Sequence, residues 1–152
     1  MLVDLLLAIG HHLLAFALAA ALAAELILLR PGLAGRELRV VARVDQIFGA
    51  LALAIVIVGV TRVFFGLKGW QFYVASWAFW AKMIAFAAVG LLSIRPTMRI
   101  IAWRSAANNA TGLYVVPDSE IAAVRRLVHW EAAVFLLIPA FAAMMARGIA
   151  SA

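Results

Sequence analysis

Residues 2–29 form a near-continuous apolar run, interrupted at Asp4, His11, His12 and Glu25. Coiled as a helix at about 1.5 Å per residue, the run outspans a hydrocarbon layer of roughly 30 Å. Its interruptions are ordered. Asp4, His11, Leu18 and Glu25 follow one another at seven-residue steps, which puts three ionisable side chains on one helical stripe. Ionisable groups are costly in hydrocarbon and normally turn towards a bundle interior. This helix therefore requires partner helices.

The chain supplies them. Three further apolar spans lie at about 47–65, 76–94 and 127–146. The sequence is 68% hydrophobic and 13% charged, where a soluble domain is nearer 45–50% apolar and about 25% charged. These features predict an all-α, integral membrane, antiparallel four-helix transmembrane bundle with the lipid bilayer as its surroundings. The 152 residues suffice for one such domain, 1–152. The absence of cysteine excludes disulfides, thiolate metal sites, iron–sulfur clusters and cysteine nucleophiles. The first run lacks a basic flank and is too long for the core of a signal peptide, so it is read as a retained span.

The connections carry the charge. Arg30-Pro31-Gly32 stops the first helix, and Arg36, Arg39 and Arg43 follow, with Asp45 and Gln46 at the mouth of the second span. The segment 66–75 holds Lys68, Trp70, Phe72 and Tyr73; with Trp77 and Trp80 it reads as an interfacial aromatic belt. The segment 95–126 holds Arg95, Arg99, Arg104, Arg125 and Arg126. Within it, Pro96-Thr97 is expected to end or kink the third span, and Met98–Ala107 to continue as a basic amphipathic helix near the surface. Pro117-Asp118-Ser119-Glu120 reads as the acidic first turn of the fourth helix. Nine of the thirteen Lys and Arg thus flank one side of the spans, and the positive-inside rule puts that side in the cytoplasm and both termini opposite. The net charge of +6 is a juxtamembrane feature and implies no nucleic acid. Alanines at four-residue spacing, at 15, 19 and 23, at 50 and 54, and at 81 and 85, form ridges that permit close helix approach.

With this topology the ionisable residues sort by depth. His11, His12, Arg62 and Lys82 fall in the half away from the cytoplasm, and Glu25, His129 and Glu131 in the cytoplasmic half. An ionised group at mid-depth costs about 2.5–3.5 kcal/mol on insertion scales, so each must be paired, near an interface, or part of a site. Lys82 and Arg62 have a plain reading as snorkelling cations. Glu25 and Glu131 have one as salt-bridge partners of Arg30, Arg95, Arg125 or Arg126. His11, inside the span and on the stripe, is least easily read that way, and a neutral imidazole there can ligate haem iron or another metal.

Over most of its length the chain resembles a family of small bacterial four-helix membrane proteins known only as a domain of unknown function. The resembling stretches are AELILLRPGL (24–33), GVTRVFFGLKG with FY (59–73), FWAKM (79–83), GLLSIRPT (90–97) and a last helix that follows Arg-Arg. The resemblance implies a multi-pass protein of the bacterial inner membrane. More distantly, the chain is similar to HemJ-type protoporphyrinogen oxidases, four-helix membrane proteins associated with haem b. In that family a first-helix histidine, a lysine near an aromatic-rich turn and an Asn-Glu at the start of the last helix recur. His11 or His12, Lys82 in Trp80-Ala81-Lys82 and Glu131 in His129-Trp130-Glu131 stand at comparable places. The chain lacks that family's first-helix tryptophan and second third-helix histidine, and reads Arg-Pro for its Pro-Arg. A shared scaffold is therefore the firmer implication.

Three functions remain in view. In the first, the protein binds haem b or a porphyrin in a redox role. His11, His12 and Arg62 are then the cofactor-binding residues, with His11 as the metal ligand. Lys82, Glu131 and Glu25 are the candidate catalytic residues, Lys82 as a propionate partner and the two carboxyls as proton carriers. The second is a non-enzymatic accessory or assembly subunit of a membrane complex, or a homo-oligomer, with no cofactor. The third is a small proton-linked transporter. The sequence contains no phosphate-binding glycine loop, GxSxG or carboxylate-rich metal motif.

Overall fold

The computed structural model describes residues 2–65 and 69–147, and Lys68 of the second connection lies outside them. The described chain is helical: α1 (Leu2–Leu28), α2 (Gly35–Phe65), α3 (Gly69–Val74), α4 (Trp77–Asn109), α5 (Asp118–Phe135) and α6 (Leu137–Ala146). Four stretches, α1, α2, α4 and the α5–α6 pair, are long and apolar enough to cross a membrane. The first packs on α2, α2 on α4, α4 on α5 and α6, and α5 back on α1, closing a ring of spans.

Two helices run far beyond their apolar stretches. The second, 31 residues long, rises about 46 Å, and the 33 residues of α4 rise about 50 Å, against roughly 30 Å of hydrocarbon. The extra turns hold Arg36, Arg39 and Arg43 on α2 and Arg99 and Arg104 on α4. Hydropathy ends where the membrane ends, but nothing in GRELRVVARVDQ breaks a helix once Gly35 has started it. Asp45 consequently sits well inside α2, not at its mouth.

Pro96 does not end α4. The helix passes through it to Asn109, with Pro96 itself buried. Proline removes one backbone bond, a loss that transmembrane helices accommodate when neighbours and hydroxyl side chains answer the freed groups. On either side of it the helix is held by other bonds: Ser93 Oγ donates to Gly90 O at 2.8 Å, and the Thr97 hydroxyl bonds to Asp45 of α2. Pro139 coincides with the change from α5 to α6, yet Leu136 N–H still donates to Ala132 O at 3.2 Å. The last span is thus stacked from two pieces.

The Arg-rich end is tied together. Gly32, at φ +79, turns the chain out of α1, and its N–H donates to Asp118 Oδ1 at 3.1 Å. Val116 N–H donates to Leu33 O at 3.0 Å, beside an isolated bridge between Ala34 and Val115. Trp103, 2% exposed, donates from Nε1 to Glu120 Oε2 at 2.7 Å.

Packing is uneven along the spans. No described residue of α1 before Leu18 is buried, and α6 has no buried residue. The dense core of Leu22, Leu29, Leu38, Val41, Phe48, Ile100, Trp103, Ile121, Val124 and Val128 belongs to the Arg-rich half. The other half is more open, although Ile55, Tyr73, Ser76, Ala78 and Ala85 are buried there.

Candidate functional site

The open half holds the cationic residues. His11 projects from α1 against Gly59 of α2. A Cβ at Gly59 would meet His11 Cε1 at 3.6 Å and Nδ1 at 3.9 Å. Arg62, one turn on along α2, and Lys82 of α4 act on His11 electrostatically, as does His12. All three principal members, His11, Arg62 and Lys82, are half-buried. The fold therefore brings together, from three helices, residues separated by up to 71 positions in the chain.

The polar atoms of this cluster are short of partners. His11 Nδ1 and Arg62 Nε are buried without a hydrogen-bond partner. In hydrocarbon such atoms are expensive to leave unanswered. Lys82 Nζ lies 5.9 Å from the Phe79 ring centroid, a cation–π contact. His12 differs from its neighbour. Its Nδ1–H donates to Ala8 O at 2.7 Å and its side chain is exposed, which leaves Nε2 as the nitrogen with a free lone pair. The two imidazoles stand 6.4 Å apart, edge to face.

The acidic residues gather in the dense half. Glu25, Asp45 and Glu131 are 2%, 5% and 1% exposed, and they act on one another electrostatically. Neither Glu25 Oε1 nor Glu131 Oε1 has a hydrogen-bond partner. Arg30, one of their expected partners, pairs instead with Glu37 at 2.8 Å. Thr97 joins the group from α4: its hydroxyl donates to Asp45 Oδ1 at 2.7 Å. His129 stands outside this group, exposed, with Nδ1–H donating to Arg125 O at 2.7 Å.

Two residues here are not apparent in the sequence. Thr97 is masked by Pro96, which reads as a helix end, and Gly59 is one glycine in an apolar helix. Only the pairing of α2 with α4 and α1 gives either a role.

Chemically, the cationic cluster offers the buried, unpartnered Nδ1 of His11 and two cations, a set suited to an anionic ligand that also accepts a nitrogen donor. Among the described residues no three His, Asp or Glu are grouped to hold a metal ion. Two open grooves, of about 460 and 800 Å³, lie elsewhere, at the Arg-rich end on either side of α5. In comparison with known proteins, residues 3–150 match the family described as "Predicted membrane protein (DUF2214)". No curated protein matches the chain, and no solved structure does.

Proposed function

The chain belongs to this family of membrane proteins, and we propose that it binds haem b or a related anionic tetrapyrrole at the His11–Arg62–Lys82 cluster, in a redox role. What supports the reading is the convergence of those three side chains in the loosely packed half, with His11 Nδ1 buried and unpartnered. Haem takes a nitrogen donor to its iron and positive charge for its two propionates. His11 would supply the donor, and Arg62 and Lys82 the two cations, so the donor set fits the group. The pairing of His11 and Lys82 also matches the positions that the distant HemJ resemblance singles out.

Bound haem supplies a one-electron iron couple. The chain's own residues do the rest. Arg62 and Lys82 would orient the acidic edge by charge-assisted contacts. Phe79 would keep the Lys82 ammonium in place through its ring face. The order of contacts, 11 with 59 and 25 with 45, supports spans that alternate in direction. With the arginines in the cytoplasm of a bacterial inner membrane, the cluster then lies in the half of the bilayer nearer the termini.

The test is haem retention through purification in mild detergent. His11→Ala should abolish it, and Lys82→Ala and Arg62→Ala should weaken it. Full retention in His11→Ala and in His12→Ala, measured separately, would rule out either histidine as the essential ligand.

A second reading, a homo-oligomer or accessory subunit, draws on the same openness. Ala23 and Ala50, both small residues of the alanine ridges, are exposed on the outer surface of the ring. Crosslinking in native membranes separates it from the first: a partner band with no chromophore favours assembly.

A further inference from the structure

Each of the four spans sends one polar side chain to a common node in the dense half: Glu25 from α1, Asp45 from α2, Thr97 from α4 and Glu131 from α5. The charges acting on Glu131 are those of Glu25 and Asp45, and the charge acting on Glu25 is that of Asp45. The α6 helix, packed against α4 and α5, carries no titratable residue. Among the described residues Arg30 pairs with Glu37 and Arg99 with Glu120 at 3.6 Å, and no arginine, Arg95, Arg125 and Arg126 included, forms an ion pair with a carboxyl of the node.

Three carboxyl groups buried in one interior need positive charge to balance them. A metal ion does not suit the geometry, since among the described residues no three acidic or histidine side chains come together closely enough to hold one. A second observation points the same way. Glu25 Oε1 and Glu131 Oε1, on side chains more than nine-tenths buried, lack any partner within the node. A carboxylate can only accept, so carboxylates grouped together cannot satisfy one another; a carboxylic acid carries an O–H that can donate.

We propose that Glu25, Asp45 and Glu131 form a proton-holding site. Thr97 fixes Asp45 as an acceptor, and Glu25 and Glu131 carry the exchangeable protons. Uptake forms one O–H bond on a glutamate oxygen and breaks one in a hydronium ion arriving from the Arg-rich face. Release reverses both. The site is distinct from the His11 cluster and stands whether or not a tetrapyrrole binds there.

The test is infrared difference spectroscopy of the full chain in lipid vesicles after a pH step, in H₂O and D₂O. The wild type should show carbonyl-stretch bands of protonated carboxyls that shift in D₂O. Glu25→Gln and Glu131→Gln should each remove one component. Unfolding the wild type with SDS at neutral pH, in unbuffered solution with a pH-sensitive dye, gives a readout that needs no variant: protons should be released. No protonated-carboxyl band and no release would overturn the proposal. So would bands unchanged in both variants, or a release seen only when sodium is present, which would mark a metal site.

Discussion

His11 of α1 stands against Gly59 of α2, its Cε1 3.6 Å from the place a Cβ at that glycine would occupy. The glycine leaves the imidazole room without closing the helices on it. Gly59→Ala adds a methyl at ordinary contact distance and removes a flexible residue from a helix. It should stabilise the protein by roughly 0.5–1 kcal/mol, read as a shift in the SDS unfolding midpoint, with ligand retention unchanged. Gly59→Leu should displace His11 and lose the ligand while the protein still inserts. Equal retention in both variants would contradict the placement.

The Thr97 hydroxyl anchors Asp45 across the α2–α4 contact. Thr97→Val keeps the shape and deletes the donor, leaving a buried acceptor unanswered. A loss of about 1–3 kcal/mol follows, again by SDS unfolding, and Thr97→Ser should restore most of it. A neutral Thr97→Val would show that the bond contributes nothing net.

Trp103 is buried at the Arg-rich end with its indole N–H on Glu120. Trp103→Phe should cost about 1–3 kcal/mol through the lost donor, and Trp103→Ala about 3–5 kcal/mol through the cavity as well. Circular dichroism during unfolding should rank them in that order. Neither lies near His11, so ligand retention in the folded fraction should not change.

Orientation has its own test. Alkaline phosphatase fused after the last span should be active and a green fluorescent protein fusion dark, since the first folds its disulfides only outside the cytoplasm. The reverse pattern would invert both clusters relative to the membrane.

Much of this architecture is legible from residue order alone. Four apolar spans and the basic flanks carry strong signals because lipid demands length and low charge. The seven-residue stripe from Asp4 to Glu25 likewise identifies the inward face of α1, where Leu18 and Glu25 prove buried. Helix ends are less legible. Hydropathy reports where the bilayer stops, whereas α2 continues past its apolar stretch through Arg36, Arg39 and Arg43, with Leu38, Val41 and Ala42 packed into the core. Pro96 misleads for a related reason, as its lost bond is tolerated within a packed span. The cluster pairings belong to the least legible class. That Asp45 meets Thr97, or His11 meets Gly59 and Lys82, depends on the rotation of each helix about its axis, which neither composition nor spacing specifies.

The most direct measurement is an ultraviolet–visible spectrum of the purified protein in detergent, oxidised and then reduced with dithionite, from cells grown with a haem precursor. The account predicts a Soret band, with α and β bands sharpening on reduction, all lost in His11→Ala. A featureless spectrum from the folded wild type would contradict tetrapyrrole binding at the His11 cluster.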